Sequence, residues 1–301
     1  MATMTSANYS DFLLPVLRDI FDKHIGKMKD FIPVLYDVNT SKKAQEFNHG
    51  LGSMGLMKEW NASGGQVYYD SVERGYKATY THKKYSIGLA IERELLDDAL
   101  YSEIKGRTKK IADSVYYTRQ IHAVTPFNDC LTMIGPDGVP LVSTSHPLGP
   151  FNAATWSNYS TGLAITADNV ETIRNKMKEW VDDSGNQLLI NPDTLIVPKE
   201  LRKAAKIVAD TDNEPFTTDY KVNIWKGSLD VIEVDFLTNS NMWFMVDSNR
   251  MNRFLKWYER RKPTIQKDME NFDTEVNRFK AVGRWSYGAD DSSWLYGVST
   301  T

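Results

Sequence analysis

Residues 58–98 constrain the chain most, because their aromatic and apolar residues alternate as in a strand while the stretch carries no core of its own. A first run, residues 66–72, reaches a turn at Glu73-Arg74-Gly75. A second sets Tyr76, Ala78, Tyr80 and His82 on one face, the period of two that a strand requires. Together they predict a long β-hairpin. Between Lys83 and Lys84 the phase slips by one, so that Tyr85, Ile87, Leu89 and Ile91 become the apolar positions. A bulge there would bend the strand. A two-stranded ribbon is at best marginally stable in water, and this one lacks a continuous Leu/Ile/Val face. The expectation is an arm that embraces another subunit; the plainer alternative is a hairpin packed on the chain's own sheet.

The chain as a whole has an ordinary globular composition: 301 residues, 41% hydrophobic and 25% charged, enough for one large core or two modest ones. A net charge of −3 leaves no basic footprint of the kind a dedicated nucleic-acid binder needs, so any contact with DNA is expected to be weak and non-specific. The single cysteine, Cys130, excludes an intrachain disulfide and a multi-cysteine metal site. No run of 18 apolar residues predicts a membrane span, and residues 1–11 lack the pattern of a secretory signal. Synthesis in the cytosol is expected.

Along the chain, Phe12, Leu13, Val16, Leu17, Ile20 and Phe21 predict a short amphipathic helix ending near Gly26. Residues 27–49, broken by Pro33 and polar clusters, predict an extended arm without packing of its own. After the hairpin, Leu95, Leu96, Leu100, Ile104, Ile111, Val115 and Ile121 predict a one-sided helix of about thirty residues up to Pro126, a spine for a sheet. Residues 135–160 are the candidate domain crossover. Thr166 is a plausible N-cap for a helix with Val170, Ile173, Met177 and Trp180 on one face. A strand at 195–197 comes next, with Pro198 at the first position of a helix carrying Leu201, Ala204, Ala205 and Val208. Strands are predicted at 231–236 and 242–246 around an Asn239-Ser240-Asn241 turn, and the aromatic last fifty residues predict further strands returning to the spine. The class is α+β.

This order of elements resembles the major capsid protein of tailed bacteriophages, within the Mu-like major head subunit family. The likeness is carried by Gly52-Ser53-Met54-Gly55-Leu56-Met57-Lys58-Glu59-Trp60, by His82-Lys83-Lys84-Tyr85 leading to Glu92-Arg93-Glu94-Leu95-Leu96-Asp97-Asp98, by Leu141-Val142-Ser143-Thr144-Ser145-His146-Pro147, and by Asn191-Pro192-Asp193-Thr194-Leu195-Ile196-Val197-Pro198. The resemblance implies the HK97-like capsid fold. Its parts would be an N-terminal arm (1–48), an extended hairpin loop (49–92), a peripheral lobe with the spine helix (93–159), an axial lobe (160–237) and return strands of the peripheral lobe (238–301). It further implies self-assembly as pentamers and hexamers into an icosahedral shell around a double-stranded DNA genome, assembled in the host cytoplasm. A portal and a decoration protein are implied as partners; with no long segment ahead of the first helix, the resemblance implies either a separate scaffolding protein, which Met1 favours, or a chain already matured. A nanocompartment shell shares the fold and is the nearest alternative. Trp60, Tyr68, Tyr69, Arg74, Tyr76 and Tyr80 are the candidate inter-subunit contacts, since aromatics and Arg dominate interface energetics.

No catalytic, cofactor or metal site is expected. Gly50-Leu51-Gly52-Ser53-Met54-Gly55 matches G-x-G-x-x-G, with Asp70 as a would-be ribose acid, and defines a competing nucleotide-dependent enzyme. Its context is wrong, because residues 42–49 are polar where a buried strand is needed and Gly64-Gly65 interrupt the stretch where a helix is needed. Ser145 and His146 are adjacent on a loop without a nucleophile elbow. His24, His49, His82, His122 and His146 have no ligand spacing. Asp97-Asp98 and Asp182-Asp183 read as solvated acids at helix ends.

Overall fold

A computed structural model describes residues 6–60, 65, 67–92, 101–213, 222–267 and 276–301. Gln66, Leu95, Leu96, Asp97, Asp98, Leu100 and Phe272 lie outside them, as do the side chains of Phe12 and Leu13. The N-terminal helix α1 is Ser6–Ile25. It lies on the spine helix, here labelled α3, Tyr101–Asn128. Leu17 and Phe21 of α1 join Ile104, Ile111 and Val115 of α3 in one buried cluster. Ile121 does not belong to that stripe and is half exposed; Ala123, Val124 and Phe127 carry the burial onward.

Residues 27–49 differ from the extended arm expected of them. Phe31, Ile32, Leu35 and Tyr36 are buried in the largest core cluster, with Ile32–Leu35 forming a short helix, α2. Pro33 sits in the first turn of α2, where a missing N–H leaves nothing unpaired, so it directs the chain inward instead of breaking its packing. Two bonds tie the segment to α3: the Phe31 N–H donates to Gln120 Oε1 (3.0 Å) and the Tyr36 hydroxyl to the Ala123 carbonyl (2.6 Å). Strand β1, Asp37–Thr40, then runs parallel to β11, Leu255–Lys267.

Two sheets hold the core. The first has the order β1-β11-β12-β4, with β12 Val276–Ala289 and β4 Lys83–Glu92 antiparallel to their neighbours. The second has the order β7-β13-β10-β8-β9, from Tyr159–Ser160, Leu295–Ser299, Met242–Val246, Thr194–Val197 and Asp230–Glu233. The late strands therefore divide: β11 and β12 return to the spine as expected, whereas β10 and β13 join the second sheet. Strand β10 is buried at every position, as a central strand covered on both faces must be, which its unbroken Met-Trp-Phe-Met-Val run allows. Helices α4 (Ala167–Lys178) and α5 (Arg202–Asp210) pack Val170, Ile173, Met177, Ala205 and Val208 with Leu195 and Trp243 of that sheet. Thr166 caps α4 by accepting the Asn169 N–H. Pro198 opens a turn one step before α5, whose N-cap is Leu201, so it is not the first helical residue.

The aromatic core beside the spine is built around Trp257 and Trp285, stacked at 6.1 Å between ring centroids, with Tyr85 stacked on Trp285 at 4.4 Å. Arg119 of α3 reaches over both indoles and pairs with Glu259 of β11, whose side chain is 6% exposed. His122 completes the group: its Nδ1 accepts from the Trp285 indole N–H at 3.2 Å.

The expected hairpin is corrected in its pairing. Strand β3, Arg74–Thr81, pairs antiparallel with β2, Gln45–Leu51, and residues 67–73 form no strand. The partner is decided at the root of the ribbon, where Asn48 of β2 and Tyr80 of β3 meet the same acid, Asp290. Alternation alone reports that β3 is a strand but is silent about its partner. Nor is the phase slip a bulge within one ribbon. Thr81 ends β3 beside β2, Lys83 begins β4 beside β12, and His82 between them is buried with its ring between the hydroxyls of Ser41 (3.0 Å) and Ser286 (2.9 Å).

Candidate subunit interface

From the β2–β3 ribbon, residues 52–60, 65 and 67–73 continue without regular secondary structure, and from Met54 onward they are exposed. Leu51, Leu56, Met57, Trp60, Val67, Tyr68 and Tyr69 are all more than half exposed, Met57 fully. At its tip, local order comes from nearby groups: the Trp60 indole N–H donates to the Gly65 carbonyl (2.9 Å), and Lys58 Nζ lies 3.8 Å from the Tyr68 ring centroid. A contiguous exposed apolar stretch of this extent marks an association surface.

The six candidate contacts separate. Trp60, Tyr68, Tyr69 and Arg74 stand on the exposed loop and the outer end of the ribbon, and Tyr76 is half-buried. Tyr80 must be removed from the set. It is buried within its own chain, its hydroxyl donates to Asp290 Oδ1 (2.6 Å), and its ring packs on Tyr258 at 5.0 Å. Burial, then the Asp290 carboxylate, drive its pKa far above the ordinary tyrosine value, so it remains a neutral donor. Tyr80, Asn48, Tyr258 and Asp290 form the fixed root of the loop. Asn48, Tyr258 and Asp290 were not legible in sequence, being brought together across some 210 to 242 positions.

The motifs that suggested chemistry are used structurally. The glycine run leaves an edge strand and enters irregular chain, so among the described residues no helix begins after it as a dinucleotide site requires. Gly50 and Gly75 let the two ribbon backbones meet at a bulge, where a Cβ on Gly75 would lie 2.8 Å from the Gly50 carbonyl carbon. Asp70 accepts the Gly55 N–H (2.8 Å). His146 is fully buried, bonded to Asp137 (2.6 Å) and Asn158 (3.1 Å) and stacked on Trp156, while Ser145 points elsewhere and is exposed. Cys130 is buried, and burial pushes its thiol pKa up to about 12, leaving it unreactive. Among the described residues no group of three or more His, Cys, Asp or Glu is arranged to hold a metal, and no helix is long and apolar enough to cross a membrane.

The fold is that of viral shells. It matches the procapsid protein of bacteriophage JBD30 over 98% of this chain and 76% of that one (13% identity, TM-score 0.57) and the capsid of cyanophage P-SCSP1u over 91% and 88% (12%, 0.56). A virus-like particle from Pyrococcus furiosus is similar over 95% and 99% (10%, 0.55). Comparison with curated protein sequences returns no match. The family model described as phage capsid protein matches residues 76–298, about three quarters of the length, and the chain therefore belongs to the phage capsid protein family.

Proposed function

We propose that the chain is the major head protein of a tailed phage, assembling with copies of itself as pentamers and hexamers into an icosahedral shell around double-stranded DNA. The observation that carries the reading is the outward-facing apolar loop at 51–60 and 67–72 on a subunit of capsid fold. Its role is to lie on an adjacent subunit, with Trp60, Tyr68, Tyr69, Arg74 and Tyr76 as contacts. Each subunit then meets several neighbours through modest surfaces whose closure into rings gives avidity far above any single contact. The spine helix with the four-stranded sheet corresponds to the peripheral lobe and the five-stranded sheet with α4 and α5 to the axial lobe. The mild negative charge suits DNA packaging without adhesion. The motifs at 52–60 and 141–147 support the Mu-like subfamily within the wider family, and a separate scaffolding protein, a portal and a decoration protein complete the expected set of partners. The role is structural, not catalytic.

Electron microscopy of the purified chain with light scattering for mass tests the proposal. Shells, tubes or five- and six-membered rings are expected. A persistent monomer that stays monomeric with a scaffold co-expressed from the same genome would overturn it. The likeness to a virus-like particle supports a second reading, a shell without a viral genome; nuclease-protected double-stranded DNA inside native particles distinguishes the two.

A further inference from the structure

Where the loop leaves the ribbon, its backbone is gripped by a turn from the other half of the molecule. That turn, residues 182–186, comes after α4 and is not a pair of solvated helix-end acids as its sequence suggests. Asp182 Oδ1 accepts the N–H groups of Ser184 (3.0 Å) and Asn186 (2.7 Å), and Gly185 takes the left-handed φ of 84° that the reversal needs. The turn so shaped aims three side chains at the loop. Asp183 Oδ1 accepts the Ser53 N–H (2.9 Å), Ser184 Oγ donates to the Ser53 carbonyl (3.1 Å), and Asn186 Nδ2 donates to the Met54 carbonyl (3.0 Å). All three bonds go to main-chain atoms. Gly52 is required by this approach, since a Cβ there would lie 2.5 Å from Asp183 Oδ2 and 3.2 Å from the Glu73 carbonyl oxygen.

We infer that the 182–186 turn is a latch that sets the angle of the loop by holding its base to the five-stranded half, while Asp290 holds the root of the same ribbon at the end of the four-stranded sheet. The loop is thus tied at two points to two different sheets. A rotation of one half against the other is converted into a swing of the loop, and with the latch open the loop is held by its root alone. The inference rests on the proposed function for its consequence in a shell, but its test does not require assembly.

Hydrogen exchange read by mass spectrometry on the full, unassembled chain decides it. In the parent protein the Ser53 amide is expected to be protected. In Asp183→Ala, Asn186→Ala and Gly52→Ala, exchange across residues 52–57 should rise by about tenfold or more, as for a locally opened segment, with β10 unchanged. Unprotected Ser53 in the parent, or unaltered exchange in all three variants, overturns the latch. If the two turn variants also loosen β10, Gly52→Ala decides, because it alters only the loop. Failure of the chain to form shells would count against the proposed function and leave this result standing.

Discussion

Beside α3 and the four-stranded sheet, Trp257, Trp285 and Tyr85 are stacked on one another behind Arg119; along the loop, Met57, Trp60 and Tyr69 stand in solvent. The same residue types serve opposite ends because of layering. The sheet has a helix laid across it, so each aromatic finds a second surface, whereas the loop is tied only through its backbone and its aromatic side chains have none. The first region therefore holds the subunit together, and the second contributes almost nothing to folding and remains available for association.

That contrast can be broken from the core side first. Arg119→Ala leaves the Glu259 carboxylate buried and unpaired, and should lower the unfolding free energy by about 3–5 kcal/mol in urea titrations. Arg119→Lys restores charge but not the planar stacking over the indoles, and is expected to recover only part of it. Next comes the boundary between the regions. Tyr80→Phe removes a donor to a carboxylate and should cost about 1.5–3 kcal/mol. Exchange should increase in β2 and β3 before it does in β11.

Acidity sharpens the comparison, because both histidines at the seam are held neutral. His122 Nδ1 must keep its lone pair to accept from the Trp285 indole, which can only donate. Burial, reinforced by Lys83, lowers its pKa. For His82 burial is again the leading cause, with Arg284 and Arg260 adding to it and Glu46 opposing. With folded pKa values below the unfolded one, the unfolded chain takes up protons first as pH falls. The stabilisation is complete above about pH 6.5 and is lost progressively below it. Thermal melts stepped downward from neutral pH should show the decline, and His82→Gln with His122→Gln should flatten it. The smallest effect belongs to the loop: Met57→Ser with Trp60→Ser and Tyr69→Ser should leave stability within about 0.5 kcal/mol of the parent. The same triple variant should lose assembly by light scattering. Normal particles from it would mean that the exposed loop is not the contact.

How far the molecule was legible in sequence obeys the same division. Helix α4 could be read from its Thr166 cap and its Val170-Ile173-Met177 stripe, and β10 from an unbroken apolar run, because each is specified locally. The exposed loop aromatics were legible because nothing nearby could cover them. What escaped is what only long-range pairing decides: β2 as the partner of β3, the descent of Phe31 and Leu35 into the core, the exit of β10 and β13 to a second sheet, and the burial of Tyr80. The slip at Lys83-Lys84 was visible, but its meaning, an exchange of partners at His82, depends on β12 nearly two hundred residues later.

The parallel register of β1 with β11 has a consequence in time. Asp37 and Lys256, bonded at 2.6 Å across the two strands, are 219 residues apart. Strand β4 waits likewise for β12, and β13 is inserted between β7 and β10 in the interior of its sheet. A chain emerging from the ribosome thus carries β1 and β4 unpaired until β11 and β12 have been made. Both ties of the loop mature at different moments as well, since residues 182–186 appear about a hundred residues before Asp290. Until Asp290 has been made, a nascent subunit lacks one of the two ties that hold its loop.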